Sequence, residues 1–217
     1  MTDGTEAPGR FITFEGGEGV GKSTQVRLLA DWLEGQGKDV LVTREPGGTP
    51  GAEAIRALLL DPTGTDWTLP AEALLFAAAR ADHVARVIRP ALARGAWVIC
   101  DRFIDSTRAY QGGEGALPDE VILQLHKVGS GGLLPDLTVL LEVSPQIAAR
   151  RLLQRDGLAS DRIGGRDARF HARVAHRFAE MAAAEPHRFA RIDGGAVAEA
   201  VHAAVRACVA QRLGSKA

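Results

Sequence analysis

The stretch Phe11-Ile12-Thr13-Phe14, running into Glu15-Gly16-Gly17-Glu18-Gly19-Val20-Gly21-Lys22-Ser23-Thr24, constrains this 217-residue chain more than any other. Its apolar start alternates and reads as a strand. A glycine-dense turn follows, and then Val26, Leu28, Leu29, Trp32 and Leu33 fall on one face of a helix. Gly16, Gly21, Lys22 and Ser23 fit G-x-x-x-x-G-K-[ST]. In such a loop successive backbone N–H groups converge on a polyphosphate, and side chains would block the approach. Glycine permits both the close contact and positive φ. The new helix adds free donors and a partial positive charge at its N-terminus. The motif predicts that Lys22 reaches the β- and γ-phosphates and that the Ser23 hydroxyl ligates Mg²⁺. A glycine-rich strand-to-helix turn that binds nothing is the plainer alternative. The strand before it and the helix after it favour phosphate binding, but do not say what receives the phosphate.

Strands and helices alternate along the rest of the chain. Val40–Val42 reads as a second strand, Trp97–Cys100 as a third, Leu137–Val143 as a fourth and Phe189–Ile192 as a fifth. Helices are expected over about 51–60, from Pro70 through Leu92, over Pro118–Val128, from Ser144-Pro145 to Arg155, through Phe170–Met181 and over Val197–Leu213, with a short one at Ser106–Gln111. Leu137–Val143 is apolar throughout, which suits a parallel strand covered on both faces. The expectation is an α/β fold: one five-stranded parallel sheet flanked by helices in three layers, with ligands beyond the carboxyl ends of the strands. Residues 1–9 read as a flexible tail and 10–217 as a single domain, whose arginine-rich segment at about 154–166 is a candidate lid.

Composition closes off several classes. A net charge of −1 argues against an extended nucleic-acid surface. Cys100 and Cys208 are far apart and suggest neither a disulfide framework nor a zinc site, and the six histidines show no metal-ligand spacing. No apolar run is long enough to cross a membrane, and Met1–Arg10 lacks the basic start and apolar core of a signal peptide. A cytoplasmic protein with no membrane or nucleic-acid partner is expected.

Charge gathers at the expected strand ends: Glu15, Arg44-Glu45 and Asp101-Arg102. Arginine there suits bidentate phosphate capture, and Asp101 could hold Mg²⁺ directly or through water. Surface ion pairing is the alternative for any one of these arginines. Phe76 and Arg80 are four apart and share a helix face. They could grip a nucleobase by stacking and hydrogen bonding, although spacing alone favours a core Phe76 and a solvated Arg80. Arg150, Arg151, Arg155, Arg162 and Arg166 cluster among Gly157, Gly164 and Gly165. A lid that delivers an arginine to a transferring phosphate fits that pattern, with Arg155 and Arg162 as candidates. Arg166, Arg169, Arg173 and Arg177 recur at helical spacing and read mostly as a solvated stripe.

Thr43-Arg44-Glu45-Pro46-Gly47-Gly48-Thr49, Asp101-Arg102-Phe103 and Ala109-Tyr110-Gln111-Gly112, in this order after the phosphate loop, resemble the bacterial-type thymidylate kinase family of P-loop nucleoside monophosphate kinases. The resemblance runs from Phe11 to the final helix. It implies the P-loop NTPase fold, transfer of the γ-phosphoryl group of ATP to dTMP with Mg²⁺, and a homodimer. It places ATP on Gly16, Gly17, Glu18, Gly19, Val20, Gly21, Lys22, Ser23 and Thr24, and the metal on Ser23 and Asp101. For dTMP it implies that Phe76 stacks on thymine and Arg80 bonds the base, reversing the reading from spacing. Arg56 and Arg102 would hold the acceptor phosphate, and Glu45 belongs to the dTMP-binding set. Ser106, Thr107 and Gln111 would face the base, Tyr110 would crowd the sugar 2′ position, and Glu18 would lie near the 3′-hydroxyl. The catalytic set is Lys22, Arg102, Arg155 and Arg162. The loop's variable positions carry no basic residue, so the arginine should come from the lid.

Two other readings are weighed. A kinase for another small phosphate or hydroxyl acceptor would differ only in the acceptor motifs. A nucleotide-controlled switch of the guanine-specific kind needs N-K-x-D, and the chain contains no asparagine. D-x-x-G occurs at Asp61 and Asp161, but neither follows an apolar strand.

Overall fold

β1 (Arg10–Glu15) lies at the centre of a five-stranded, wholly parallel sheet of order β2-β3-β1-β4-β5. Its partners are β3 (Trp97–Asp101) on one side and β4 (Leu137–Glu142) on the other, with β2 (Val40–Arg44) and β5 (Phe189–Asp193) at the edges. The computed structural model describes residues 9–64, 66–113, 116–156 and 161–214, without the side chains of Arg155 and Asp156. The sequence expectation of a tail over 1–9 falls mostly outside those residues, but Gly9 is packed: a Cβ there would meet Leu92 O at 2.6 Å.

Side chains alternate across the strands and so build two cores. Ile12, Phe14, Ile99, Val139 and Leu141 pack beneath α1 (Lys22–Glu34) and α9 (Ala198–Leu213). Phe11, Val98 and Cys100 face the opposite way, with Ile88, Phe103 and Ile122. A third cluster joins Leu140 and Phe189 to Phe170, Val174 and Phe178 of α8 (Ala168–Ala184). The register is what matters for function: Phe14 pairs with Asp101, Arg44 with Asp101, and Glu15 with Leu140. The charged strand ends therefore stand level on one edge of the sheet.

Helix starts follow local chemistry. Thr49 caps α2 (Pro50–Leu60) by accepting from Ala52 N at 3.1 Å, and Asp167 caps α8 by accepting from Phe170 N at 2.7 Å. Ser144 caps α7 (Pro145–Asp156), with Pro145 at its first position. α5 runs over Ile104–Tyr110, two residues earlier than the sequence suggests. The Glu15 carboxylate accepts from Phe103 N and Ser106 N, so the unpaired donors of that helix start are met from β1. α6 spans Asp119–Ser130.

The long pattern expected from Pro70 to Leu92 is one helical rod with an irregularity. α3 (Leu69–His83) passes into a π-helical segment, Val84–Ile88, and then into α4 (Arg89–Ala93). Pro90 explains it. Proline cannot donate to the carbonyl four residues back, at Arg86, and its ring crowds that oxygen.

Candidate active site

The phosphate loop has the conformation its glycines require. Gly16, Gly19 and Gly21 have φ of 130°, 71° and 98°. A Cβ at Gly16 would meet Leu141 O at 2.4 Å, so glycine is compulsory there. Lys22 folds back over its own loop, its Nζ donating to Gly17 O at 2.6 Å and Gly16 O at 3.2 Å. Burial, and then the nearby Arg102, pull the Lys22 ammonium down to about 8. The negative charge of an arriving phosphate would offset both effects by favouring the ammonium form. Ser23 Oγ donates to Asp101 Oδ2 at 3.0 Å, which brings the expected metal pair together. A hydroxyl and a carboxylate are hard oxygen donors, and Mg²⁺ is ordinarily bound by one or two carboxylates plus substrate phosphates and water. Among the described residues no group of three or more His, Cys, Asp or Glu could hold a metal alone. The donors present therefore fit a cation held jointly with a phosphate.

Arg102 lies between the two sides of the site. Its φ of 69° is left-handed, the one such value outside glycine among the described residues. That costs of order 1–3 kcal/mol, and it is held by Arg102 N donating to Phe14 O at 3.0 Å. Nη1 donates to Gly16 O at 3.0 Å and Ser106 Oγ at 3.1 Å, Nη2 to Glu18 Oε1 at 2.5 Å, and the guanidinium sits 5.1 Å from the Tyr110 ring. One guanidinium thus touches the phosphate loop and the acceptor helix together.

The acceptor wall is built on α3. Arg80 is buried, not solvated. Its Nε donates to Glu45 Oε2 at 2.7 Å, and its Nη2 to Thr107 Oγ1 at 2.9 Å and Phe103 O at 3.2 Å. Glu45 also bonds His83 Nδ1 at 3.0 Å, and His83 Nε2 bonds Thr43 Oγ1 at 2.7 Å. Glu45 is therefore the buried counter-ion that aims Arg80. Arg56 Nη1 donates to Pro46 O at 2.8 Å, and Arg44 pairs with Glu53 in the open. Phe76, Arg80, Arg56, Glu45, Ser106, Thr107, Tyr110 and Gln111 line one cavity of about 460 Å³ with Glu18, Lys22, Ser23, Asp101 and Arg102. All of the residues expected around dTMP line this cleft, as do Glu18, Gly19, Gly21, Lys22, Ser23 and Thr24 of those expected around ATP; Gly16, Gly17 and Val20 do not line it.

The lid arginines fall out differently. The Arg155 side chain and residues 157–160 lie outside the described residues. Arg162 does not line the cavity. Its Nη2 donates to the buried Glu72 at 2.7 Å and its Nε to Leu59 O at 3.0 Å. Arg151 of α7 does line the cavity, with Nη1 3.4 Å from Val20 O. Of the expected solvated stripe, Arg169 and Arg173 are exposed, Arg177 is half-buried beside Asp119, and Arg166 is turned onto Glu72. Sequence reasoning missed Glu72 and His83. Their one signal was position: Glu72 is four residues before Phe76 and His83 three after Arg80, both helical spacings.

Glu15 is the hub beneath the site. Its Oε1 accepts from Phe103 N at 2.8 Å and Ser106 N at 3.2 Å, and its Oε2 from Ser106 Oγ at 2.6 Å. Burial, and then the charge of Asp105, raise its carboxyl to about 7. In the unfolded chain it titrates near 4.5. The native state therefore binds the extra proton between those values. The stabilisation is complete below about 4.5 and is lost as pH rises toward 7. Urea titrations across this range should show a downward contribution on the order of a few kcal/mol in the wild type that Glu15→Gln removes. Equal pH slopes in the two proteins would contradict it.

A family model described as Thymidylate kinase matches residues 14–205. The chain is 52% identical over 209 residues to a thymidylate kinase of Chromohalobacter salexigens, covering 96% of this chain and 98% of that one. It is 61% identical over 155 residues to one from Rhizorhabdus wittichii, 71% of this chain and 74% of the relative. Among solved structures, thymidylate kinase from Ehrlichia chaffeensis superposes with a TM-score of 0.74 at 34% identity, covering 94% of this chain and 99% of that one. The matching stretch begins inside β1, runs through the other four strands and takes in every residue that lines the cleft: this chain belongs to the thymidylate kinase family.

Proposed function

We propose that this chain transfers the γ-phosphoryl group of ATP to the phosphate of dTMP, giving ADP and dTDP, at the cleft between the phosphate loop and α3. The observation that carries this reading is the bond from Arg102 Nη1 to Gly16 O at 3.0 Å. It sets the acceptor-side guanidinium against the cradle for the donor phosphates, so two nucleotides entering from opposite sides would meet phosphate to phosphate.

The loop amides and Lys22 hold the β- and γ-phosphates; Arg102 and Arg56 hold the acceptor phosphate. Phe76 stacks on the base, Arg80 bonds it, and Tyr110 lies along the sugar. An acceptor phosphate oxygen then forms the new P–O bond as the bond to ADP breaks. The acceptor is already anionic, so no strong base is needed, and rate comes from alignment and charge neutralisation. Ser23 and Asp101 would hold Mg²⁺, which when bound neutralises phosphate charge. Arg155 remains the lid arginine for the transferring group. A homodimer is proposed through α2, α3 and α6, which pack side by side and carry exposed Leu58, Leu74 and Val128. Sedimentation at monomer mass alone would exclude it.

An ADP-release assay over a panel of nucleoside monophosphates tests the activity. It should be fastest with dTMP, stop with EDTA and return with added Mg²⁺. One methyl separates thymine from uracil, worth about 1–3 kcal/mol in a fitted pocket, so dUMP should be about 10–200-fold poorer but measurable. Equal rates across the panel, or none with dTMP, would overturn the assignment.

A further inference from the structure

Glu72 is fully buried in the first turn of α3, four residues before Phe76 and eight before Arg80. Its carboxylate accepts from three side chains, one just after α5 and two in the basic segment. Gln111 Nε2 donates to Oε2 at 2.9 Å; Arg162 Nη2 donates to Oε1 at 2.7 Å; Arg166 Nη2 also reaches Oε1. The basic segment is fastened a second time at the end of α2, where Arg162 N meets Leu60 O at 3.4 Å and Arg162 Nε meets Leu59 O. Between these arginines Ile163 is buried, packs in one cluster with Tyr110, Leu60 and Phe76, and lines the cleft.

A buried carboxylate needs every partner, because an unpaired charge there is expensive. The partners of Glu72 are unusual in where they lead. Gln111 lines the acceptor half of the cleft; Arg162 and Arg166 flank the residue that covers its base end. The carboxylate has only acceptors, so it fixes which end of the Gln111 amide turns toward it, namely the nitrogen. The carbonyl is then the end Gln111 offers to a base.

We propose that Glu72 is a positioning residue for the acceptor site, acting through Arg162 and Gln111. It holds Ile163 at the Phe76 side of the cleft and sets the Gln111 amide to accept a ring N–H. Arg162 is then a fastening of the basic segment and not a group that touches the transferring phosphoryl. The inference rests on the activity proposed above.

The test uses the full chain carrying Glu72→Gln, with dTMP and ATP varied separately and dCMP as competitor base. The expected result is a KM for dTMP raised about tenfold or more, as for loss of a charged hydrogen bond. KM for ATP should be unchanged, and preference for dTMP over dCMP should fall. Arg162→Gln should raise the dTMP KM likewise, and the double variant should add little beyond either single. A lowered melting temperature with both KM values unchanged would mean a structural ion pair only and would overturn the proposal. So would additive effects. If Glu72→Gln does not fold, Arg162→Gln decides alone: a raised dTMP KM supports the proposal, and a collapse of kcat at constant KM overturns it. Failure of the wild type to use dTMP would sink the activity reading as well; normal wild-type turnover with unshifted variants would sink this inference alone.

Discussion

Lys22→Ala should lower kcat by about 10²–10³-fold, the loss typical of one preorganised donor to developing charge. Its melting temperature should barely move. Among the described residues Nζ hydrogen-bonds carbonyl oxygens of its own loop, Gly16 O and Gly17 O, and no distant element. Removing a buried cation also removes its desolvation cost, which is the first cause of its lowered pKa. Stopped-flow or coupled ADP release gives kcat, and a thermal melt gives the fold. Turnover within about threefold of wild type, far under the loss one donor ordinarily causes, would remove Lys22 from the reaction.

Arg102 should matter more, and in a different parameter. Arg102→Met is expected to lower kcat/KM for dTMP by about 10³-fold, near 4 kcal/mol of lost transition-state stabilisation. Arg102→Lys should recover little of this. A point charge cannot serve Gly16 O, Ser106 Oγ and Glu18 from one plane, as the guanidinium does. Arg102→Gly separates the backbone from the charge. It relieves a residue at φ 69° and should be as inactive as the Met variant. If Lys restored kcat/KM fully, bidentate capture would be wrong and simple charge would suffice.

How much was legible beforehand depended on the range of the interaction. The loop was readable because its constraint is local: a backbone that must pass close to phosphate, with side chains excluded at Gly16 and Gly21. The five strands were readable from apolar runs, and the parallel sheet placed Glu15, Arg44 and Asp101 on one edge, as the register confirms. Arg80 was misjudged on spacing because its burial depends on Glu45, thirty-five residues earlier, and on Thr107, twenty-seven later. The family resemblance instead implied a role for Arg80 at the base, because motif order carries the long-range information that periodicity lacks. Arg162 marks the other limit. A glycine-flanked basic cluster looks like a lid whichever way its side chains turn, and nothing near it in sequence announces that Glu72 lies buried within reach.

The π-helical segment Val84–Ile88 divides one rod into two phases. Upstream, Phe76 and Arg80 face the cleft; at the segment's end and beyond it, Ile88 and Ala91 sit in the core beneath the sheet. Each residue of a regular helix advances the side-chain direction by about 100°, so the extra residue of the wide turn acts as a gear between the two halves. Cutting a single residue from that turn would swing the cleft-facing side of α3 by about a quarter of a revolution against a core that stayed seated. The length of this stretch is therefore dictated at both ends, by what must be held and by what must be hidden.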